Sequence, residues 1–252
     1  MTIKAMESAV GSRRVTVLTY NVHSCVGADR KADPHRIADV IAATGADIVA
    51  LQELDVGRQR TGGIDQANVI ASLLKMEAHF HPALHVVEEK YGDAIMTALP
   101  TRLMNAGPLP SLGEQRGALW VQVELGSQRL NVLNTHLGLR SFDRAAQIEA
   151  LLGDDWIRNS EFHGHPSIVC GDFNAVPSSL VYKTLGQCFR DAQLLTGKKA
   201  GKTFPSRFPM VRLDHIFVSP DLDVARCEVV NTPNSARASD HLPLLAEVLL
   251  AG

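Results

Sequence analysis

Short apolar runs that stop on a polar side chain recur along this chain. Val15-Thr16-Val17-Leu18-Thr19-Tyr20 ends at Asn21, residues 47–52 lead into Glu53, residues 130–135 into His136, and Ser167-Ile168-Val169-Cys170 into Gly171-Asp172-Phe173-Asn174. Runs of this composition read as buried strands. A strand end is a position that a fold holds rigidly while still presenting a side chain to solvent. Two further strands are expected at 213–218 and 242–249, with Asp214, Asp240 and His241 at their borders. Any one of these residues could be a cap or turn residue. Asn21, Glu53, His136, Asp172, Asn174, Asp214, Asp240 and His241 together point to a shared site.

Between the strands, Asp33-Pro34, the apolar positions Ile37, Ala38, Val40 and Ile41, and Gly45 give an N-cap, a first-turn proline, a buried face and a C-terminal glycine. Further helices are expected at 66–74 and 142–157. Strand-like runs at 94–98, 118–124 and 130–135 follow, with Gly126-Ser127 as a hairpin signal. No repeat or linker interrupts them. The fold class expected is α/β in the α+β sense: a four-layer sandwich of two packed, mostly antiparallel β-sheets flanked by helices. Residues 1–13 are expected to be a disordered or extended segment and 14–252 a single domain.

The 252 residues are 45% hydrophobic and 21% charged, which excludes disordered and fibrous classes. No window reaches eighteen apolar residues and the first residues lack the apolar core of a secretory signal, so neither membrane insertion nor export is expected and the location expected is cytoplasmic. Cys25, Cys170, Cys188 and Cys227 have no CxxC spacing, so reduced thiols are expected. The formal net charge of −2 is far from the basic excess of a dedicated nucleic-acid binder, without excluding nucleic acid as a substrate.

Tyr20-Asn21-Val22, Leu51-Gln52-Glu53, Asn134-Thr135-His136-Leu137, Gly171-Asp172-Phe173-Asn174, Leu213-Asp214-His215-Ile216-Phe217 and Ser239-Asp240-His241-Leu242-Pro243 resemble, in order, the successive motifs of the endonuclease/exonuclease/phosphatase superfamily. That resemblance implies a two-sheet sandwich, a divalent metal, Mg²⁺ or Mn²⁺, and hydrolysis of a phosphoester, as in DNase I, abasic-site endonucleases, neutral sphingomyelinases and inositol phosphatases. It implies Glu53 as leading metal ligand with Asn21 and Asp240, a choice that suits a hard cation's preference for oxygen. By the same resemblance Asp172 orients or deprotonates the attacking water, Asn174 holds the phosphate, and His241 binds phosphate or acts as acid/base while Asp214 fixes its tautomer. His136 matches the second acid/base of DNase I-like relatives. Asp93 is either its partner or a turn residue, and Arg116 either contacts phosphate or makes a surface ion pair.

Histidines 79, 81, 85, 163 and 165 lie outside these motifs and are expected on the surface or in loops. His23 stands where abasic-site enzymes carry an acid, which lowers the DNA-repair reading. The loop 55–65, with Arg58 and Arg60, resembles a bacterial branch of metal-dependent hydrolases. Lys198, Lys199, Lys202, Arg207 and Arg212 form an acid-free basic stretch suited to steering a polyanion. The function expected is a metal-dependent phosphodiesterase, with a DNase I-like nuclease narrowly ahead of a sphingomyelinase-like or small-molecule phosphodiesterase or phosphatase. The partner is then a phosphodiester substrate, DNA among the candidates. A non-catalytic binding module of the same fold would have lost a ligand or a base, and none is missing.

Overall fold

In the computed structural model, residues 13–86 and 88–251 are described. The expected segment 1–13 lies outside them except for Arg13, which already begins the first strand. The strands in chain order are β1 (Arg13–Asn21), β2 (Ile48–Val56), β3 (Glu77–Val86), β4 (Glu89–Thr97), β5 (Thr101–Leu109) and β6 (Arg116–Leu125). They continue with β7 (Gln128–His136), β8 (Ser167–Asp172), β9 (Arg190–Asp191), β10 (Asp214–Val218), β11 (Leu222–Val229) and β12 (Leu244–Leu250). One sheet has the order β11-β12-β1-β2-β4-β3 and the other β5-β6-β7-β8-β10-β9.

Val17, Ile48, Val121, Val132, Ile168 and Val248 fill the space between the sheets. Helices cover the outer faces. On the first sheet, α1 (Pro34–Ala42) and α2 (Gln66–Leu74) bury Ile37, Ile41 and Ile70 against Leu18, Val49 and Leu51. On the second, α3 (Ser141–Leu151) packs Ile148 and Leu151 beside Trp120 and Leu133. This is the expected four-layer sandwich. The Asp33 carboxylate caps α1 by accepting from the Arg36 N–H, and Pro34 occupies its first turn.

Each sheet is antiparallel except for one parallel pair, β1 with β2 and β7 with β8. Parallel pairing brings two C-terminal strand ends side by side. Asn21 is therefore in register with Gln52, and His136 with Asp172. Asp214, at the start of antiparallel β10, falls opposite Asp172.

Several expectations need correction. The helix expected at 142–157 stops at Leu151, and a turn around Gly153 takes over, its N–H donating to the Ala150 carbonyl. Histidines 79, 81 and 85 lie on β3, not in loops, with His79 and His81 half-buried and His85 exposed as the surface alternative had it, and His79 Nε2 is 2.8 Å from the Thr101 hydroxyl. Pro82 masks this strand in the sequence, but β3 is a sheet edge with a register shift at 82/84, where a missing N–H is tolerated. All four cysteines are unpaired, with Cys25, Cys170 and Cys227 buried. Among the described residues no helix is long and apolar enough to cross a membrane.

Candidate active site

The ladder between β2 and β4 shifts register between Leu51 and Leu54, and Glu53 takes a left-handed backbone conformation at φ 63°. A bulge of this kind re-aims a side chain at the cost of local strain. Here it turns Glu53 into a cleft. The other sheet reaches the backbone beside this bulge. Asn134 Nδ2 on β7 donates to the carbonyls of Leu51 and Ala94, both at 2.9 Å, while its oxygen accepts from Gln52 Nε2 at 2.7 Å. Gln52 and Asn134 are fully buried. No role was expected for either, although an amide inside an otherwise apolar run is the signal that marks them.

Asn21 Nδ2 lies 2.9 Å from Glu53 Oε1 and 3.0 Å from Asp172 Oδ2, so one amide spans carboxylates from the two sheets. Its oxygen accepts the His23 N–H at 3.0 Å. That bond fixes the amide with nitrogen towards the carboxylates, so Asn21 spaces them rather than offering an oxygen beside them. Gly171 allows Asp172 to reach this point, since a Cβ there would stand 1.9 Å from the Thr135 carbonyl oxygen. Asn174, also left-handed at φ 48°, donates its backbone N–H to Asp172 Oδ1 at 2.8 Å.

His241 Nδ1 is 2.9 Å from Asp214 Oδ2, and its Nε2 is 3.6 Å from Asp172 Oδ2. Burial alone would lower the imidazole's pKa. The carboxylates of Asp214, Asp172 and Asp240 outweigh it and push the value up to about 10. Burial, with Asp214 adding to it and His241 opposing, holds Asp172 well above the usual carboxylate range.

His136 is held differently. Arg116 Nη1 stands 2.8 Å from its Nδ1. A guanidinium only donates, so Nδ1 accepts and the ring proton sits on Nε2. Nε2 points towards Asp172 Oδ2 at 3.5 Å and Glu53 Oε1 at 3.9 Å. Asn174 Nδ2, 3.1 Å from Nε2, is itself a donor committed to the Leu137 carbonyl, so that approach is a contact and not a hydrogen bond. Burial, Arg116 and His241 together hold the His136 pKa well below its ordinary value.

Neither alternative for Asp93 is seen: among the described residues no hydrogen bond or ion pair joins it to His136, whose Nδ1 faces Arg116, and it lies within β4 and not in a turn. Asp93 is buried, which pushes its carboxyl up to about 7 against the opposing charge of Arg116. Arg116 is only 5% exposed, so it is not a surface ion pair, although Glu114 lies 3.3 Å from it.

Glu53, Arg116, His136, Asp172, Asn174, Asp240 and His241 all line one cleft of about 730 Å³. Asp214 stands behind His241, and Asp240 Oδ1 is 3.7 Å from His23 Nδ1. Asp172, Asp214 and His241 form the tightest group of possible ligands, with donor atoms within 4.8 Å of one another. An imidazole that carries a proton does not ligate, whereas the carboxylates of Glu53, Asp172 and Asp240 line the same cleft and offer oxygen donors. An all-oxygen donor set suits Mg²⁺ or Mn²⁺.

The basic stretch does not reach this cleft. Arg212 is buried and 2.5 Å from Asp191 Oδ2, and of residues 198–212 only Phe204 lines the cleft. Histidines 163 and 165 also lie elsewhere.

A cleft lined by carboxylates and imidazoles, at the strand ends of a two-sheet sandwich, is the architecture of the DNase I-like phosphoesterases. The chain belongs to the endonuclease/exonuclease/phosphatase family, whose model matches residues 18–241. Members of this family hydrolyse phosphoesters and generally depend on a divalent metal. The chain is 28% identical over 251 residues to the uncharacterized protein YbhP of Escherichia coli K12, covering 93% of this chain and 96% of YbhP. Its fold is similar to a mannosyl-6-phosphatase of Bacteroides thetaiotaomicron (TM-score 0.76, 19% identity, 93% and 99% of the two chains). It is also similar to the human Nocturnin catalytic domain solved with bound sulfate (TM-score 0.73, 24% identity, 93% and 94%).

Proposed function

We propose that this chain is a divalent-metal-dependent phosphodiesterase whose imidazoles hold the scissile phosphate from two directions. The observation that carries the reading is the Asp214–His241 hydrogen bond set against the Asp172, Asn21 and Glu53 cluster in one cleft. Glu53 and Asp240 would hold Mg²⁺ or Mn²⁺, with Asn21 spacing Glu53 from Asp172. Bound there, the cation would neutralise charge on the phosphate and the departing oxygen.

The chain's own groups supply the rest. Asp172, with its raised pKa, is suited to orient the attacking water and accept its proton. His241, kept protonated by Asp214, donates to a phosphate oxygen or to the leaving group. His136 presents a neutral Nε2–H, a fixed donor for a phosphate oxygen. In this reading His136 acts as a donor and not as a second acid/base, since Arg116 holds Nδ1. Asn174 stands beside it, and Arg116 both orients His136 and faces the cleft.

One support of the nuclease reading, the basic stretch 198–212, does not line the cleft. Small phosphodiesters and phosphomonoesters therefore stand level with DNA as substrates. Bis-p-nitrophenyl phosphate, plasmid DNA, RNA and sphingomyelin, each assayed with magnesium, manganese and chelator, test the proposal. Metal-dependent turnover of at least one is the expected result, and full activity in excess chelator would overturn it.

A further inference from the structure

Beside the candidate active site the cleft has a second polar wall. Behind β2, a tight loop carries Arg58 and Arg60, and both guanidinium groups lie over the Tyr91 ring, at 5.9 and 5.4 Å from its centroid. Arg60 is fastened on one side only. Its Nε and Nη2 grip the two oxygens of Asp55 at 2.8 and 2.7 Å, and Nη2 also reaches the Ser24 hydroxyl at 2.9 Å. Asp55 is fully buried and receives the Thr61 hydroxyl as well. Among the described residues Arg60 Nη1 has no hydrogen-bond partner, and the side chain is half exposed. Arg58 Nε leans on Glu89 at 3.4 Å.

The counter-charges sit behind these groups. Arg58, Arg60 and Tyr91 line the same cleft as Glu53 and His241, whereas Asp55 and Glu89 do not. The wall presented to a ligand is cationic, although the local charges nearly cancel. A guanidinium clamped by a buried carboxylate has already lost its rotamer freedom, so little is lost again when it binds an anion. The cleft volume of about 730 Å³ far exceeds what one phosphate fills.

We propose that Arg58 and Arg60 form a second anion subsite, so that the preferred substrates carry a further phosphate next to the one that is cleaved. This rests on the phosphodiesterase reading above. The flanking phosphate has two chemical sources, the neighbouring linkage of a nucleic-acid strand or a monoester on a small molecule. The forked donors of arginine suit a phosphate in either case.

The test compares thymidine 5′-(p-nitrophenyl phosphate) with the same compound carrying a 3′-phosphate. The expected result is a KM at least tenfold lower for the 3′-phosphorylated compound, and a collapse of that ratio in Arg60→Gln. Equal KM values in the wild-type protein would overturn the subsite. Because Arg60→Gln strands the buried Asp55, Arg58→Gln provides a milder second variant, since Arg58 reaches Asp55 only at 3.9 Å and its nearer partner, Glu89, is partly exposed; it too should lower the ratio. An oligothymidylate with a KM below that of the bisphosphate assigns the flanking phosphate to a strand, and the reverse order assigns it to a small ester. Calorimetry in chelator separates this inference from the catalytic reading: thymidine 3′,5′-bisphosphate should bind at least tenfold tighter than thymidine 5′-monophosphate even if neither nitrophenyl ester is turned over. Equal affinities would overturn the subsite whatever the activity.

Discussion

Arg116 donates to Nδ1 of His136 across 2.8 Å of buried space, and this one bond decides which nitrogen of the ring carries the proton. Histidine NMR tests it directly. In the wild-type protein the ring should remain the neutral Nε2–H tautomer at pH values where a free imidazole takes a proton, since burial, Arg116 and His241 all lower its pKa. In Arg116→Met one of these causes is gone, so the ring should begin to titrate at higher pH. An unchanged titration would show that Arg116 does not hold the ring's pKa down.

The Asp214–His241 pair is expected to act as a unit. A general acid contributes about 10²- to 10⁴-fold, so His241→Ala and Asp214→Asn should each lower kcat substantially, with His241→Ala approaching that range. The double variant should be little worse than His241→Ala. Independent, multiplicative losses in kcat would separate the two residues.

Glu53→Gln should remove most activity and also the stabilisation that a bound cation gives the folded chain. Thermal melts with and without millimolar magnesium read this without any substrate. The wild-type Tm should rise with magnesium and that of the variant should not.

Asn134→Leu should destabilise the protein by about 1–3 kcal/mol for each of the Leu51 and Ala94 carbonyls left without its amide donor, while the Gln52 amide keeps Thr19 and Ala50 as acceptors. Urea denaturation measures the loss. Because the bulge at Glu53 loses its support, kcat should fall further than for a core truncation of equal cost, such as Val132→Ala.

His215 supplies a pH test of stability. Its Nε2 donates to the Ala175 carbonyl at 2.8 Å, and burial lowers its pKa from 6.5 to about 4. The folded state therefore favours the neutral ring. The stability this contributes is complete above about pH 6.5 and drains away at about 1.4 kcal/mol per pH unit as the pH falls towards 4. His215→Gln should lose stability less steeply than wild type over that window in urea titrations. Parallel slopes would contradict the assignment.

The strands legible in the sequence are those buried on both faces, because only they leave an uninterrupted apolar run. The four that were not read, β3, β5, β9 and β11, are the four sheet edges. Edge strands mix exposed with buried positions and tolerate interruptions such as Pro82 and Gly107-Pro108. At the site, strand-end residues could be picked out because motif order and strand ends coincide. Pairing could not: which carboxylate reaches His136, and that Arg116 reaches it first, depends on the approach of β6 to β7 and on depth, neither of which a linear pattern records. The basic stretch misled for a similar reason, since Arg212 is drawn inward to Asp191.

Asn21 and Glu53 belong to one sheet, His136, Asp172 and Asp214 to the other, and the bonds Asn21 to Asp172 and His241 to Asp214 cross between them. A nascent chain that has built either sheet alone holds an incomplete set of these groups. In the proposed reading, competence to cleave thus arrives only together with the closing of the interior.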